Sequence, residues 1–349
     1  MKKGRHLQFI AFVSLVFSIG CKDAQPEEAP APTPYTYVAP EGFPPFFDPA
    51  DNPTTLEGIA LGRKLFYDPI LSGDNTQACA DCHRQENAFT DPRPFSIGID
   101  GIAGHRNSMS LINIAFQHRL FWDGRAHGLE EQALFPIKDP IEMHESLPNA
   151  VSEIQAIPEY REMFWSAFGT RNVDSILIAK ALAQFERTLN SVNSRYDRWK
   201  LGLENLEKSE ISGMNLFMDP ATGGCAQCHS FGALFSDYLF RNNGKDSIVT
   251  DLGRFAFSGL PQDIGAVKTP SMRNVEYTAP YMLDGRFATL EEVLEFYNTG
   301  FKLGPSTDPF MFTLVKGRLS EQDKSDIIAF LKTLSEPEIL TNPAFSKPQ

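Results

Sequence analysis

Two pentapeptides constrain this chain more than any other feature: Cys79-Ala-Asp-Cys82-His83 and Cys225-Ala-Gln-Cys228-His229. Both read CxxCH, the attachment motif for c-type haem. Two thiols three positions apart at a helix start can each add to a haem vinyl group. The next residue then brings an imidazole to the iron from the same side, so His83 and His229 are the expected fifth ligands. A redox CxxC pair or half of a zinc site would need the following histidine to occur by chance, and to do so twice. Two covalent haems are expected. The 42% hydrophobic content supplies a real core and excludes general disorder. Many of the 28 phenylalanines suit haem-pocket walls, with ordinary core packing as the default for any one of them.

The fifth cysteine has a different setting. Lys2, Lys3 and Arg5 form a basic start, an apolar run extends from Leu7 to Ile19, and Gly20-Cys21 follows. This reads as a signal peptide over residues 1–20, too short to span a membrane comfortably. Its end, FSIGC, resembles a bacterial lipoprotein box, which would make Cys21 the lipidated first residue of the mature chain. Residues 21–52, rich in Pro, Ala and Glu at their start, are expected as a disordered linker. The expected location is the periplasmic side of the cell envelope, on a lipid anchor. The net charge of −12 becomes more negative once residues 1–20 are removed. It excludes a bulk electrostatic grip on nucleic acid or on an anionic membrane surface and favours a basic or neutral redox partner.

The chain also repeats itself. Gly62, Leu65, Phe66 and Asp68 match Gly213, Leu216, Phe217 and Asp219 at a shift of 151. Ser110, Asn113, Asp123, Gly124, Arg125, Leu129, Glu130 and Glu131 match Ser271, Asn274, Asp284, Gly285, Arg286, Leu290, Glu291 and Glu292 at a shift of 161, and the CxxCH motifs lie between at 146. The expected fold is therefore all-α: two tandem cytochrome-c-like domains, 53–195 and 196–335, each with one covalent haem, followed by a tail over 336–349. Helical periodicity is expected over 55–67, 128–134, 150–168, 173–190, 209–217, 289–298 and 320–334. Val173, Ile176, Leu177, Ala181 and Phe185 mark the clearest apolar face.

Histidines stand at 6, 83, 105, 118, 127, 144 and 229, with none beyond. The second haem therefore has no histidine from the rest of its own half as a sixth ligand; Met272, Met282, Met311, Tyr277, Tyr281 and Tyr297 are the alternatives. Tyr297 aligns with Pro136 under the 161 shift. If that position faces iron in both halves, Tyr297 closes haem two, while Pro136, unable to ligate, leaves haem one open. A closed and an open haem suit an electron relay feeding a reactive centre.

The motifs LGRKLFYDPILS, CADCH, FSIG, RNS, FWDGRA, EEQA, PIEM, GCAQCHS, TPSMRNV and DGRFATLEEVLEFYN together resemble the bacterial di-haem cytochrome c peroxidase and MauG family over roughly residues 55–335. The resemblance implies a peroxidase that reduces hydrogen peroxide at the N-terminal haem. Electrons from a small donor such as cytochrome c would enter through the C-terminal haem, commonly in a homodimer. It implies Glu142 as the acid–base group, Gln132 as the distal glutamine, Pro136 as the distal proline and Trp122 as the residue between the haems. Asn107 and the carbonyls of Thr278 and Pro280 match a calcium site between the domains. Without the resemblance, Glu142 reads as a surface charge and Trp122 as core.

Two departures stand out. Ile99 follows FSIG where the peroxidases usually carry a capping histidine, with His105 the nearest substitute; haem one is therefore expected open in the oxidised state. Tyr297 stands where peroxidases place methionine and MauG-type enzymes tyrosine, with Met282 as the other ligand reading. A MauG-like oxidase acting on a partner protein through a bis-ferryl state is the alternative function, and a non-catalytic electron carrier the third. His127 and His144 are expected to be hydrogen-bonded only. Arg125 and Arg286 fit either haem propionates or caps of their own turns.

Overall fold

The computed structural model describes residues 1, 27–38, 40–45, 48–230 and 232–349. The expected signal peptide and Cys21 lie outside the described residues. Among those described, no helix is long and apolar enough to cross a membrane.

Six helices carry the repeat. In the N-terminal half they are α1 (Leu56–Tyr67), α2 (Leu129–Lys138) and α3 (Ser175–Glu186). In the C-terminal half they are α4 (Lys208–Met218), α5 (Leu290–Glu295) and α6 (Glu321–Lys332). Their starts are written locally. The Thr55, Asp174, Thr289 and Ser320 side chains each accept a hydrogen bond from a backbone N–H of the first turn, which satisfies a donor that the helix itself cannot. In α1, Leu61, Leu65 and Phe66 recur at helical spacing and are fully buried.

α1 packs on α3 and α4 on α6. Both crossings need a glycine. A Cβ on Gly62 would lie 1.9 Å from the Ala181 carbonyl oxygen, and one on Gly213 would lie 1.8 Å from that of Asp326. Mid-helix glycine normally costs stability, so its presence at both matching positions reflects backbones in contact.

The likeness extends to details. Asn113 and Asn274 both take a left-handed conformation, at φ 58° and 57°. The Ser110 and Ser271 hydroxyls both donate to a carbonyl at 2.6 Å, that of Ala88 and that of Leu234. Leu120 bridges Ala126 as Tyr281 bridges Phe287. The only named strands among the described residues are β1 (Phe240–Arg241) and β2 (Val267–Lys268), antiparallel with Phe240 opposite Lys268. Two main clusters of buried residues result. One is built around Leu61, Leu65, Phe66, Phe89, Phe164 and Phe185, the other around Tyr196, Phe217, Phe235 and Phe330.

Several boundaries differ from expectation. The stretch 150–168 forms two helices, Leu147–Ala156 and Pro158–Phe168, because proline biases Ile157 away from helical geometry. In α3, Ile176 is 62% exposed, and Ile178, Ala181, Leu182 and Phe185 form the buried face instead. The 289–298 helix changes at Phe296 into a π-turn, Phe296–Gly300.

The described part of the expected linker is seated on the fold. The Thr33 N–H and hydroxyl donate to the Glu57 carboxylate at 2.7 and 2.8 Å. The Tyr35 N–H donates to the Thr54 carbonyl at 2.9 Å. The Phe43 ring centre lies 4.6 Å from the Arg273 guanidinium. Residues 336–349 do not trail either: Ile339 and Phe345 belong to the N-terminal core. Gln85 Nε2 donates to the carbonyls of Ile339 and Asn342, both at 2.9 Å, and the Tyr67 hydroxyl to that of Phe345 at 2.7 Å. One buried group at the end of α3 is incompletely paired: Glu186 Oε2 has no hydrogen-bond partner.

Candidate active site

The two CxxCH motifs fold alike. Cys79–Cys82 forms a single α-turn and Cys225–Gln227 a 3₁₀ turn, and in both the histidine N–H closes back on the carbonyl of the first cysteine, at 3.0 and 2.9 Å. All four cysteines are free thiols. Burial pushes the thiols up, Cys225 and Cys228 to about 11. His83 Nδ1 lies 3.0 Å from the Phe89 carbonyl oxygen and His229 Nδ1 3.1 Å from that of Pro270. A carbonyl can only accept, so Nδ1 carries the proton and the Nε2 lone pair is left for a metal. Burial lowers both imidazoles, His229 to about 4, and so keeps that lone pair available. Unpaired thiols and oriented neutral imidazoles fit covalent haem at both motifs.

A cavity of about 280 Å³ runs from Cys225, Cys228 and His229 across to Asn107 and Trp122 of the N-terminal half. Of the six alternatives for a second axial ligand, Tyr277 is outside its lining and packs against the N-terminal core. The Tyr281 hydroxyl is spent on the Val275 carbonyl at 2.9 Å. Tyr297 and Met282 meet at one group: Asn243 Nδ2 donates to the Tyr297 hydroxyl at 3.0 Å and lies 3.7 Å from the Met282 sulfur. Burial pushes the Tyr297 phenol up to about 12, and the Asn243 hydrogen bond opposes that.

In the N-terminal half, Gln132 and Pro136 lie one turn apart on α2 and so share a face. Pro136 has no N–H, which leaves the Gln132 carbonyl without its helical donor. The chain then turns back: the Met143 N–H donates to the Pro136 carbonyl at 3.2 Å, and the Glu142 N–H to that of Asp139 at 3.0 Å. The Glu142 carboxyl is pushed up to about 7, chiefly by burial and then by the Asp139 carboxylate, with Arg125 opposing. The FSIG loop is fixed to this turn, since the Ile99 N–H donates to the Glu142 carbonyl at 3.0 Å. His105 is exposed.

The halves meet at Trp122. Its indole N–H donates to the Asn107 carbonyl at 2.8 Å, and its own carbonyl accepts from the Lys268 N–H at 2.7 Å. Asn107 Nδ2 is engaged by the Arg93 and Pro94 carbonyls at 3.1 and 3.2 Å, which leaves Oδ1 free. The carbonyls of Thr278 and Pro280 accept no hydrogen bond among the described residues, and both residues line the cavity with Asn107. These are hard oxygen donors of the kind calcium takes. Among the described residues there is no cluster of three or more His, Cys, Asp or Glu suited to a metal.

Comparison with known proteins identifies the family. Residues 56–205 match the family model for di-haem cytochrome c peroxidase. The methylamine utilization protein MauG of Methylorubrum extorquens is 37% identical over 302 residues, 84% of this chain and 83% of that protein. The cytochrome c551 peroxidase of Nitrosomonas europaea is 34% identical over 297 residues, 82% of each. The crystal structure of a MauG-like protein associated with microbial copper homeostasis superposes with a TM-score of 0.82 at 34% identity, covering 90% of this chain and 99% of that one.

The chain belongs to the di-haem cytochrome c peroxidase family. It is an oxidoreductase of the cytochrome-c peroxidase type.

In this family member, Arg106, Lys268 and Asn243 make contacts at the site that the sequence alone does not assign to them. Arg106 joins the halves: Nη1 pairs with Asp123 at 2.7 Å, while Nε and Nη2 grip Asp251, each at 2.8 Å. Lys268 is buried and pushed down to about 7 by that burial, with Asp123 opposing; its ammonium donates to Gln117 and to the Arg119 carbonyl. Asn243, at the Tyr297 hydroxyl, sits in a polar loop. The arginines of the two DGR motifs pair with their own aspartates, Arg125 with Asp123 at 2.9 Å and Arg286 with Asp284 at 2.6 Å. His127 and His144 are surface groups bonded to Arg119 and Asp100.

Proposed function

We propose that the protein reduces hydrogen peroxide to water in its N-terminal half, with electrons from a small redox protein entering through its C-terminal half. Cys79, Cys82 and His83 would hold one haem, which would supply an iron for peroxide reduction, and Cys225, Cys228 and His229 would hold a second, which would supply an electron store. Every other part of the reaction falls to side chains.

Pro136, at the position matching Tyr297, has no group that could ligate a metal. Gln132, on the same helical face, orients peroxide by hydrogen bonding. Glu142 takes the proton from the proximal oxygen and delivers it to the distal one, and a carboxyl held near 7 can do both. Trp122 lies on the electron path between the halves. Calcium at Asn107, Thr278 and Pro280 fixes that path. The observation that carries the reading is this asymmetry at matched positions: Pro136 beside a half-buried Glu142 in one half, and a half-buried Tyr297 in the other.

No cap for the N-terminal iron is needed in the oxidised state. Ile99 is bonded to the Glu142 backbone, and Arg106, next to His105, is tied to two aspartates. The as-isolated ferric protein is expected to give one high-spin and one low-spin signal by electron paramagnetic resonance; two low-spin signals would refute the open site. Steady peroxide-dependent oxidation of reduced cytochrome c tests the activity itself.

A MauG-like oxidation of a partner protein is the second reading. It is favoured by Tyr297, whose hydroxyl accepts from Asn243 and so is suited to bind as an anion; a phenolate lowers the potential, where methionine raises it. Peroxide consumption without oxidation of any cytochrome c supports that reading. A purely electron-carrying role leaves the half-buried, raised Glu142 carboxyl without a purpose. The expected site of action is the periplasm, with lipid at Cys21.

A further inference from the structure

The repeat pairs a second position at the C-terminal site. Under the 161 shift that carries Pro136 onto Tyr297, Phe121 falls on Met282. The backbones agree, both left-handed, at φ 64° and 76°. In the N-terminal half neither Phe121 nor Pro136 has a group that could bind a metal. The Phe121 ring packs edge to face on Phe135, at 5.5 Å between centres, and its centre lies 3.6 Å from the Arg125 guanidinium. In the C-terminal half both members of the pair can ligate. Met282 and Tyr297 line the cavity with Cys225, Cys228 and His229, and both pack on the cluster of Phe296, Phe301 and Met311.

A short loop, 242–246, is tied to both. Asn243 Nδ2 donates to the Tyr297 hydroxyl at 3.0 Å and lies 3.7 Å from the Met282 sulfur. On one side, the Lys302 N–H donates to the Gly244 carbonyl at 2.7 Å, just past the π-turn Phe296–Gly300 that carries Tyr297. On the other, Lys245 pairs with Asp284 at 2.8 Å and Asp246 with Arg286 at 2.9 Å, on the turn that carries Met282. Single π-turns occur mostly at functional sites. Methionine is unbranched, with three rotatable bonds, so its sulfur can move while the backbone stays clamped.

We infer that Tyr297 and Met282 are alternating ligands of the C-terminal haem, the Tyr297 phenolate when the iron is ferric and the Met282 thioether when it is ferrous. The inference rests on the reading that Tyr297 closes that haem. The chemistry of the two groups assigns the states. A phenolate is a hard anion and stabilises the higher charge, whereas a thioether is soft and neutral and stabilises the lower one. The exchange balances. The donor supplies one electron to the iron, the Tyr297 oxygen leaves and takes one proton from solvent, and the Met282 sulfur takes its place; oxidation reverses each step. Asn243 is the positioning residue, because its amide holds the released Tyr297 hydroxyl for return. One half then accepts electrons with methionine and keeps oxidising equivalents with tyrosine, so the two readings of the function meet in a single site.

The test uses the full haem-loaded protein in its ferric and dithionite-reduced forms. Resonance Raman reports an iron–phenolate bond, magnetic circular dichroism the spin state, and rapid carbon monoxide binding the open positions on ferrous iron. The wild type is expected to show the phenolate signature when ferric, to lose it on reduction, and to bind carbon monoxide rapidly at the N-terminal haem alone. Met282→Leu nearly conserves volume and should leave the ferric spectrum unchanged, which also checks that the variant folds. On reduction its C-terminal haem should become high-spin, rapid carbon monoxide binding per chain should double, and the potential of that haem should fall. In Tyr297→Phe the ferric iron should take the thioether, and the potential should rise. A phenolate signature that persists in the reduced wild type overturns the exchange and leaves Tyr297 as a fixed ligand. A reduced Met282→Leu variant whose C-terminal haem stays low-spin overturns it as well. A ferric wild type with no phenolate signature removes the Tyr297 reading and the exchange together.

Discussion

The Trp122 indole N–H donates to the Asn107 carbonyl oxygen at 2.8 Å, while Asn107, whose side-chain Oδ1 accepts no hydrogen bond among the described residues, lines the same cavity as Trp122. One residue thus links the group between the halves to the proposed calcium position. Replacing Asn107 with Ala removes the side-chain oxygen but keeps the carbonyl. Calcium affinity, measured by titration calorimetry, is expected to fall about 10- to 100-fold, and electron transfer between the halves, followed by stopped-flow spectroscopy, should slow with it. A chelator should reproduce the kinetic effect in the wild type and leave the variant unchanged.

Glu142 gives a pH signature. As a base it must be ionised to take the peroxide proton, and it is held up to about 7. Turnover is therefore expected to rise as pH climbs through about 7. The Glu142→Gln variant should lose that limb and about 10²- to 10⁴-fold in kcat. A Gln variant that keeps the same pH profile would remove Glu142 from the proton path.

Glu186 affects stability instead. Burial pushes it up to about 8, with Arg187 opposing and Glu130 adding to the rise. Its folded value lies above the usual carboxylate value, so the native state binds more protons between about 4.5 and about 8. Stability should therefore fall as pH rises through that window. In Glu186→Gln the fall should flatten, as seen in melting temperature measured against pH.

The two helix crossings predict matched failures. Gly62→Ala and Gly213→Ala each push a methyl group into a carbonyl oxygen. Each should destabilise its own half by about 3 kcal/mol or more, beyond the usual cost of overpacking, as read by denaturant unfolding. A neutral result at either position would mean that the crossing opens easily.

Much of the arrangement is legible because it is local. The CxxCH turns, the caps at Thr55, Asp174, Thr289 and Ser320, and the apolar rows of α1 follow from spacing alone. The repeat carries Pro136 onto Tyr297, eight residues after Gly128 and Thr289, which precede α2 and α5. What is not legible depends on distant partners. Asn243 lies in a polar loop and gains meaning only beside Tyr297. Lys268 reads as a surface charge until β2 is laid against β1. Ile176 satisfies the periodicity of α3 yet points to solvent, because α1 and α2 leave no surface for it. Ile339 and Phe345 are scattered apolar residues in a short terminal stretch, too few to signal a core contact.

That last contact sets an order of events. Ile339 and Phe345 complete the core of the half that is made first. The N-terminal half is therefore made, CADCH motif included, before the residues that complete its core, and a deletion of residues 336–349 should damage the half that lies furthest from them in sequence.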